Sequence, residues 1–486
     1  MCIRDRYGSV VFPSTPGVDG RGIINTDKTN FAPRIGAAYQ VTDKFVLRGG
    51  FSKLYMLSPV APGPSTPNNG PYGALTSIIA TTDGIRPNVT IDNPFPNGFN
   101  VPIYDTKGMS SLLGEQLLAG ATKGKTPYQW QWNFGFQYEL PGNMIFSAAY
   151  AGTRGHRLTC AFFYCGDNIP REMMAKYGSK LLDTVPNPFY GIITNPLAPL
   201  SQPNVQFGQL LRRWPQYNGV VPILPAYQGL AADTNTFNAA YDALQVEVNK
   251  RFSQGLTFTL AYTWSKNLTN TDSFESGYLG PAVGYQDNWN YQLEKSYSAA
   301  DVPQRVSIGY VYDLPFGKGK AIGQNVSKPV DMMIGGWQLA GITTFASGYP
   351  VGISQTGQTT GAFGGGNRPD WVGNACGNMD RSRGEKIVQY LDPTGFQRNA
   401  NFTFGNAPRT IGSCRSDGIK NFDISVIKFI PIWERVNAEL RGEFFNAFNR
   451  VRLGNPNTTF GSGSFGAITG QRNAPRVIQI GLKINF

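Results

Sequence analysis

The feature that most constrains the fold is the alternation of apolar and polar side chains in the final segment, residues 476–486. Every second residue there is aliphatic or aromatic: Ile478, Ile480, Leu482, Ile484 and Phe486. Successive side chains of a β-strand point to opposite faces, so the segment predicts a strand with one apolar face. Such a strand fits a soluble sandwich, which buries that face, or a transmembrane β-barrel, which presents it to lipid.

The same alternation recurs upstream and predicts an all-β, antiparallel protein of about eleven strands. The other predicted strands are 31–40, 44–55, 128–140, 144–152, 241–252, 256–265, 303–314, 336–351, 421–429 and 435–448. The best helix candidate, residues 108–120, is short. No apolar run reaches the length of about 18 residues that a transmembrane helix needs.

Aromatic side chains separate the barrel from the sandwich. Residues 128–140 place five of them on one face: Trp130, Trp132, Phe134, Phe136 and Tyr138. Such a row is difficult to pack against a second sheet about 10 Å away, whereas lipid accommodates it without a partner. Residues 256–265 likewise align an apolar face that ends in Tyr262 and Trp264, as an interfacial aromatic girdle does.

Connection lengths support the same interpretation. Short turns are predicted near 41–43, 141–143, 253–255, 316–333 and 431–433, and long irregular segments lie between them. Outer-membrane barrels have short periplasmic turns and long extracellular loops, so the sequence predicts an antiparallel transmembrane β-barrel. Because bacterial single-chain barrels close on even strand numbers, an odd count predicts that further strands precede this segment.

The beginning of the chain carries no secretory signal and opens on MCIRDR. We expect residues 1–6 to be an artefactual leader and residues 1–30 to be a loop remnant. Residues 31–486 are then expected to form the C-terminal part of a larger barrel.

Charge and catalytic motifs argue against other functions. The net charge of +12 is dispersed along strands and loops, so a nucleic-acid partner is not expected. His156 is the only histidine, which leaves no Ser/His/Asp triad, and GKGK at 317–320 lacks phosphate-cradle spacing. We predict that the chain is no enzyme and holds no cofactor or metal.

Three carboxylates on the predicted lumen side, Asp423, Glu439 and Glu443, suit an acid/base pair or an ion-pair lattice. Arg435 and Arg441 share that face and favour the lattice.

Cysteines and loop aromatics supply further hypotheses. Cys160 lies near Cys165, and Cys376 shares a loop region with Cys414, which suggests two disulfides and an oxidising compartment. Zinc ligation and free thiols are the alternatives. Five aromatic residues of the long loops are candidates for contact with an external ligand, or for packing the loops together: Trp214, Tyr217, Trp289, Tyr291 and Trp371.

Several motifs together resemble the barrel of Oar-like TonB-dependent receptors across nearly all of residues 31–486. They include FAPRIGAAYQ, YVYDLPFGKGK, GNRPDWVGN, GEFFNAFNR and the terminal APRVIQIGLKINF. The resemblance implies a barrel of about 22 strands, with a plug, a TonB box and an N-terminal regulatory domain that this chain does not contain. It also implies that Ile480, Leu482, Ile484 and Phe486 form the signal read by the barrel-assembly machinery.

We therefore expect part of a receptor and transporter in the outer membrane of a Gram-negative bacterium, for an unknown external ligand. Outer-membrane lipid and the assembly machinery are its expected partners, and the TonB complex would act only through the plug. The alternative is a structural or adhesive surface protein that uses the same barrel. An outer-membrane hydrolase is disfavoured by the residues above.

Overall fold

A single antiparallel sheet dominates the computed structural model. The structure describes residues 28–55, 73–74, 76, 78–114, 117–119, 126–158, 168–195, 198–212, 214–217, 220–222, 237–272, 284–287, 289–361, 363–433 and 436–486. Eleven long strands pair in chain order, each with the next, as the sequence predicted. They are β1 (Arg34–Thr42), β2 (Phe45–Tyr55), β3 (Tyr128–Leu140), β4 (Met144–His156), β5 (Asn238–Ser253), β6 (Leu256–Thr269), β7 (Gln304–Asp313), β8 (Trp337–Ala346), β9 (Ile419–Trp433), β10 (Val436–Phe445) and β11 (Val477–Asn485).

The connections after β1, β3, β5, β7 and β9 lie at one end of this sheet, and all are tight turns except residues 314–336, which contain a helix. The turn between β5 and β6 consists of Gln254 and Gly255, which both have positive φ (53° and 78°). That combination belongs to the two-residue hairpin turn whose twist matches the flanking strands. The connections after β2, β4, β6, β8 and β10 are long and lie at the opposite end, so the predicted asymmetry is confirmed.

Strand pairing carries one apolar face continuously across the sheet. In β6, Leu260 lies opposite Val248 of β5 and Ile308 of β7, and all three side chains share a face. The same face continues to Leu440 and Leu482 at the far edge. Thr259 lies opposite Asn249 on the other face, which we call the polar face. The register therefore assembles the separate alternating segments into a sheet with two unlike surfaces.

Side chains on the apolar face pack sideways against their neighbours. Trp130 stacks on Phe51 of the adjacent strand, with 5.2 Å between ring centroids. Ile480 and Phe134 remain 77% and 62% exposed. Within the described residues, no second layer of protein covers this face. This arrangement excludes a sandwich, because a sandwich buries the inner face of each sheet.

The five long connections fold into their own structure, which we call the loop cap: the described residues of 56–127, 157–237, 270–303, 347–418 and 446–476. Its α-helices are α1 (Arg171–Tyr177), α2 (Phe207–Leu210) and α4 (Arg383–Val388), while α3 (Lys328–Ile334) lies in the turn between β7 and β8. Short strands of the cap are Leu117–Ala119, Thr184–Pro186, Asn204–Gln206, Val220–Pro222, Ser296–Tyr297, Pro350–Val351, Ser354–Gln355, Asp370–Trp371, Phe396–Gln397, Ile411–Arg415 and Thr459–Phe460. Its 3-10 turns are Gly108–Ser110, Gly178–Leu182, Pro199–Ser201, Tyr291–Glu294 and Pro393–Gly395. None of the helices in the described residues is long and apolar enough to cross a membrane.

Buried apolar side chains of the described residues concentrate in the loop cap. The largest cluster joins 347–418 to 446–476 through residues such as Ile353, Leu391 and Phe465. A second centre packs Phe363 against Met174 and Leu181. Because these contacts join segments far apart in sequence, the cap is a packed unit rather than a set of independent loops.

Two local predictions were wrong. Residues 108–120 form no α-helix where the structure describes them: a 3-10 turn covers Gly108–Ser110 and a short strand covers Leu117–Ala119. Gly114 has a positive φ of 79°, which a helix cannot accept. The turn predicted at 431–433 is instead the end of β9, where the register shifts between Pro431 and Trp433. Proline lacks the N–H for regular pairing and is tolerated at such irregularities.

Candidate functional site

The five loop aromatics lie in different environments. Tyr217 and Tyr291 are buried, with 4% and 8% of their surface exposed. Trp214 is half-buried. Trp289 and Trp371 keep 43% and 36% of their surface exposed. The burial of Tyr217 and Tyr291 fits the alternative of packing between the loops. Contact with an external ligand stays a prediction for all five residues.

Tyr291 shows what the buried aromatics do. Its ring lies 4.7 Å from that of Phe237 and 5.4 Å from that of Tyr285, measured between centroids. Nearby, the indole Nε1 of Trp289 donates to the carbonyl oxygen of Asn168 at 2.9 Å. These contacts join two long loops, 157–237 and 270–303, at the top of β5 and β6.

Charged pairs fasten the same loops. Segment 270–303 supplies four carboxylates, and each pairs with an arginine of another loop. The N···O distances are 2.5 Å for Asp272–Arg409, 3.4 Å for Asp287–Arg171, 2.8 Å for Glu294–Arg368 and 2.6 Å for Asp301–Arg415. Removing one partner of a buried pair leaves an uncompensated charge, so these pairs specify how the loops fit together.

Burial shifts the pKa of two groups among these charged pairs of the cap. It lowers the pKa of the Arg368 guanidinium, and the Glu294 carboxylate opposes that shift. It raises the pKa of Tyr285 to about 12. The Glu294 carboxylate also accepts from the backbone N–H of Gln286 at 2.9 Å. Arg368 and the Gln286 amide thus hold the Glu294 carboxylate in place inside the cap.

The three carboxylates predicted on the lumen side do lie on the polar face. Arg441 pairs with Glu439 at 2.5 Å and with Glu443 at 3.5 Å. Asp423 accepts from the backbone N–H of Asn446 at 2.8 Å. The predicted ion-pair lattice is confirmed for Arg441, while Arg435 lies outside the described residues.

A basic cleft lies where the polar face meets the loop cap, above the long-loop ends of β8 to β11. Its volume is about 700 Å³. Thr344, Asn421 and Val477 form part of its floor, and the pairing places all three on the polar face. Its walls come from the loop after β10 and from α4. The cleft thus opens toward the side of the sheet that carries the ion-pair lattice.

Cationic side chains dominate this cleft. Five cationic residues line it, namely Arg383, Lys386, Lys420, Arg450 and Arg452, against two carboxylates, Asp417 and Asp423. Lys420 lies opposite Phe345, so its side chain is on the apolar face and the other four belong to the cleft. The sequence analysis missed the site because these residues are spread over 70 positions and none belongs to a recognisable motif. The basic run RVRLG at 450–454 beside a strand end was the available signal.

One of the two cysteine pairs lies in the described residues. A disulfide joins Cys376 to Cys414 and thereby links the loop after Trp371 to the strand Ile411–Arg415. Cys160 and Cys165 lie outside the described residues, so their pairing stays a prediction. In the part of the chain that the structure describes, no three His, Cys, Asp or Glu side chains group closely enough to hold a metal ion.

The terminal strand β11 pairs with β10 along one side. Its apolar residues Ile480, Leu482 and Ile484 are exposed on the apolar face, and Phe486 follows the strand, also exposed. An assembly signal at these positions stays a prediction.

Comparison with known proteins gives one family and several solved structures. The family model described as an outer membrane beta barrel domain matches residues 4–479. No curated protein matches the chain.

The solved structures are distant in sequence. The outer membrane transporter YddB from Escherichia coli is 9% identical, with a TM-score of 0.41 over 94% of this chain and 40% of its own. The ferripyoverdine receptor of the outer membrane of Pseudomonas aeruginosa is 11% identical, with a TM-score of 0.36 over 94% and 33%. The siderophore receptor PiuA from Acinetobacter baumannii is 7% identical, with a TM-score of 0.36 over 93% and 35%. The chain therefore spans well under half the length of these proteins.

Proposed function

Because this chain belongs to the outer membrane beta barrel family, we propose that it is part of the barrel of an outer-membrane receptor that takes up an external ligand. In this proposal, the apolar face contacts lipid and the polar face lines the aqueous lumen. A plug encoded upstream couples the barrel to TonB.

One observation carries the proposal: the connections at one end of the sheet are long and pack against one another in a cap, while each connection at the other end is shorter. A barrel that only spans the membrane needs no ordered cap. The cap instead builds a defined outer surface, on which Trp289 and Trp371 are exposed. Binding residues commonly lie on loops held by a rigid scaffold in this way.

The same geometry supports the proposed partners. Aromatic and aliphatic side chains on the apolar face fit outer-membrane lipid. The exposed apolar stripe Ile480, Leu482 and Ile484 on β11, followed by Phe486, suits recognition by the barrel-assembly machinery. A regulatory domain and a plug with a TonB box are proposed for the polypeptide from which residues 31–486 come.

The test is to recover the complete gene and to examine its product. We expect an upstream plug segment with a TonB box, and binding of the purified product to the periplasmic domain of TonB from the same organism. A variant with the TonB box deleted serves as the control and should not bind.

A complete gene without a plug contradicts the transport proposal. If that product also makes cells adhere to a surface or to each other, the adhesive function replaces it.

A further inference from the structure

We propose that the basic cleft is a binding site for a small polyanion that carries carboxylate or phosphate groups. The inference rests on the proposed receptor function and names the chemistry of the ligand. The observation behind it is that cationic side chains outnumber carboxylates around this cavity on the polar face.

The charge balance is the first step. The pairing of Lys420 with Phe345 places its side chain on the apolar face, so four cationic side chains and two carboxylates remain at the cleft, a formal excess of two positive charges. Elsewhere in the cap each of the arginines Arg171, Arg368, Arg409 and Arg415 is paired with a carboxylate. Within the described residues, no ion pair joins a cation of the cleft to a carboxylate. The cleft therefore departs from the pattern of the cap around it.

The two carboxylates are already engaged by neutral donors. Asp417 accepts from the backbone N–H of Leu453 at 2.8 Å. Asp423 accepts from the backbone N–H of Asn446 and the side-chain amide of Asn421, both at 2.8 Å. These bonds hold the loop after β10 against β9. The carboxylates thus shape the cleft and do not form ion pairs with its cations.

Arg452 is the most constrained of the cations. Its side chain is half-buried, and its Nε donates to the carbonyl oxygen of Asp417 at 3.2 Å. Burial lowers the pKa of Arg452 and the nearby Arg472 lowers it further, while Tyr349 and Asp417 oppose the shift without reversing it. An anion bound in the cleft would raise the pKa of Arg452, because opposite charge at short range favours the protonated guanidinium.

Size and chemistry define the ligand class. A cavity of about 700 Å³ lies within the range of small-molecule sites. Arginine presents a planar fork of donors that matches carboxylate and phosphate oxygens, and lysine adds point charge. Arg450 and Arg452 lie on one wall and Lys386 on another, so a compact polyanion can contact both.

Titration calorimetry on the full chain in detergent tests the site. The probes are citrate and pyrophosphate, with glucose as the uncharged comparison. We expect saturable binding of at least one anion, weakened by salt, and no binding of glucose. Citrate alone would identify a carboxylate ligand, and pyrophosphate alone a phosphate ligand.

The key variant is Arg450→Gln with Arg452→Gln, which keeps the backbone hydrogen bonds of both residues. We expect it to weaken anion binding at least tenfold. The matched control is Lys318→Gln with Lys320→Gln, which removes the same charge from the exposed turn after β7 and should leave binding unchanged.

Equal binding by both double variants contradicts the site, as does the absence of anion binding by the wild-type chain. If the arginine variant loses its folded, heat-modifiable band on gels, Lys386→Gln takes its place with the same expectation. A gene product that couples to TonB but binds neither anion overturns this inference alone. Anion binding by a product without a plug overturns only the transport proposal.

Discussion

Leu260 and Thr259 are neighbours in the chain that face different surroundings. Leu260 lies in the middle of the apolar run of β6, opposite Val248 and Ile308. The Thr259 hydroxyl donates to Asn249 Oδ1 at 2.7 Å on the polar face. If lipid wets one face and water the other, the same substitution should have unequal effects at the two positions.

We predict that Leu260→Arg lowers the free energy of unfolding by roughly 2–4 kcal/mol, the cost of a cation near the bilayer midplane. Thr259→Arg should cost far less, since its guanidinium reaches water. Denaturant unfolding of each full-length variant in lipid vesicles measures the difference. Similar costs at both positions would contradict the assignment of the faces.

Tyr285 and Tyr390 link the stability of the cap to pH. Burial raises the pKa of both hydroxyls from 10.0 to about 12. A group whose pKa is higher in the folded state contributes stability below its unfolded pKa and loses it as pH rises toward the folded value. We therefore expect the cap to weaken between about pH 10 and 12.

Each tyrosine should account for roughly 2–3 kcal/mol of that loss. Hydrogen exchange of the cap at both ends of this pH range, in wild type and Tyr390→Phe, measures one of the two. The variant should lose less stability than wild type, and the exposed Tyr190→Phe should match wild type. No difference between Tyr390→Phe and wild type refutes the linkage.

At the scale of elements, the disulfide between Cys376 and Cys414 closes a loop of 38 residues within the cap. In the chain-entropy model, a crosslink of this span stabilises by about 4 kcal/mol. We predict that the double variant Cys376→Ser, Cys414→Ser destabilises the cap by that order while β1 to β11 stay paired. Limited proteolysis should then cut first within 347–418. Cleavage rates equal to wild type would show that packing alone holds this loop.

The strands were predictable where their patterns were regular. Alternation in 128–140 and 476–486 located β3 and β11 and the face that each presents, because the period of two is visible in single residues. β9 was harder. In its run ISVIKFI, Ile427 and Phe429 lie on the polar face and Lys428 lies on the apolar one. Only the register with β8 and β10 decides that arrangement.

Lys428 shows how a misplaced charge is accommodated. Its Nζ donates to the carbonyl oxygen of Gly335 in the turn before β8 and lies 5.1 Å from the centroid of the Trp337 ring. Long cationic side chains reach polar groups at the end of an apolar surface in this way. In the sequence alone, Lys428 is visible only as an interruption of the alternation between apolar and polar residues.

The loop cap could not be predicted because its contacts are distant in sequence. Arg409 reaches Asp272 across 137 residues and Arg415 reaches Asp301 across 114. Neither local propensity nor periodicity encodes such pairs. The motif GNRPDWVGN contains Arg368, which pairs with Glu294. Nothing in the motif indicates which residue that partner is. The basic cleft was hidden for the same reason.

At the scale of the whole molecule, we propose that the sheet separates lipid from water. On its apolar face, aromatic side chains of adjacent strands pack against each other. On its polar face, charged side chains form ion pairs such as Arg441–Glu439. The edge strands β1 and β11 each pair on one side only within the described residues. An unpaired strand edge is costly in hydrocarbon, so the proposal of a larger barrel predicts that both edges pair with further strands.

The central claim is that lipid contacts the apolar face and water contacts the polar face. Spin labels placed one at a time along 256–265, on the full chain reconstituted in lipid with its native cysteines replaced by serine, test it directly. The account predicts that oxygen collisions peak at positions 258, 260 and 262, and that collisions with a water-soluble nickel complex peak at 257, 259 and 261. Collision rates that do not alternate, or that alternate in the opposite sense, would contradict it.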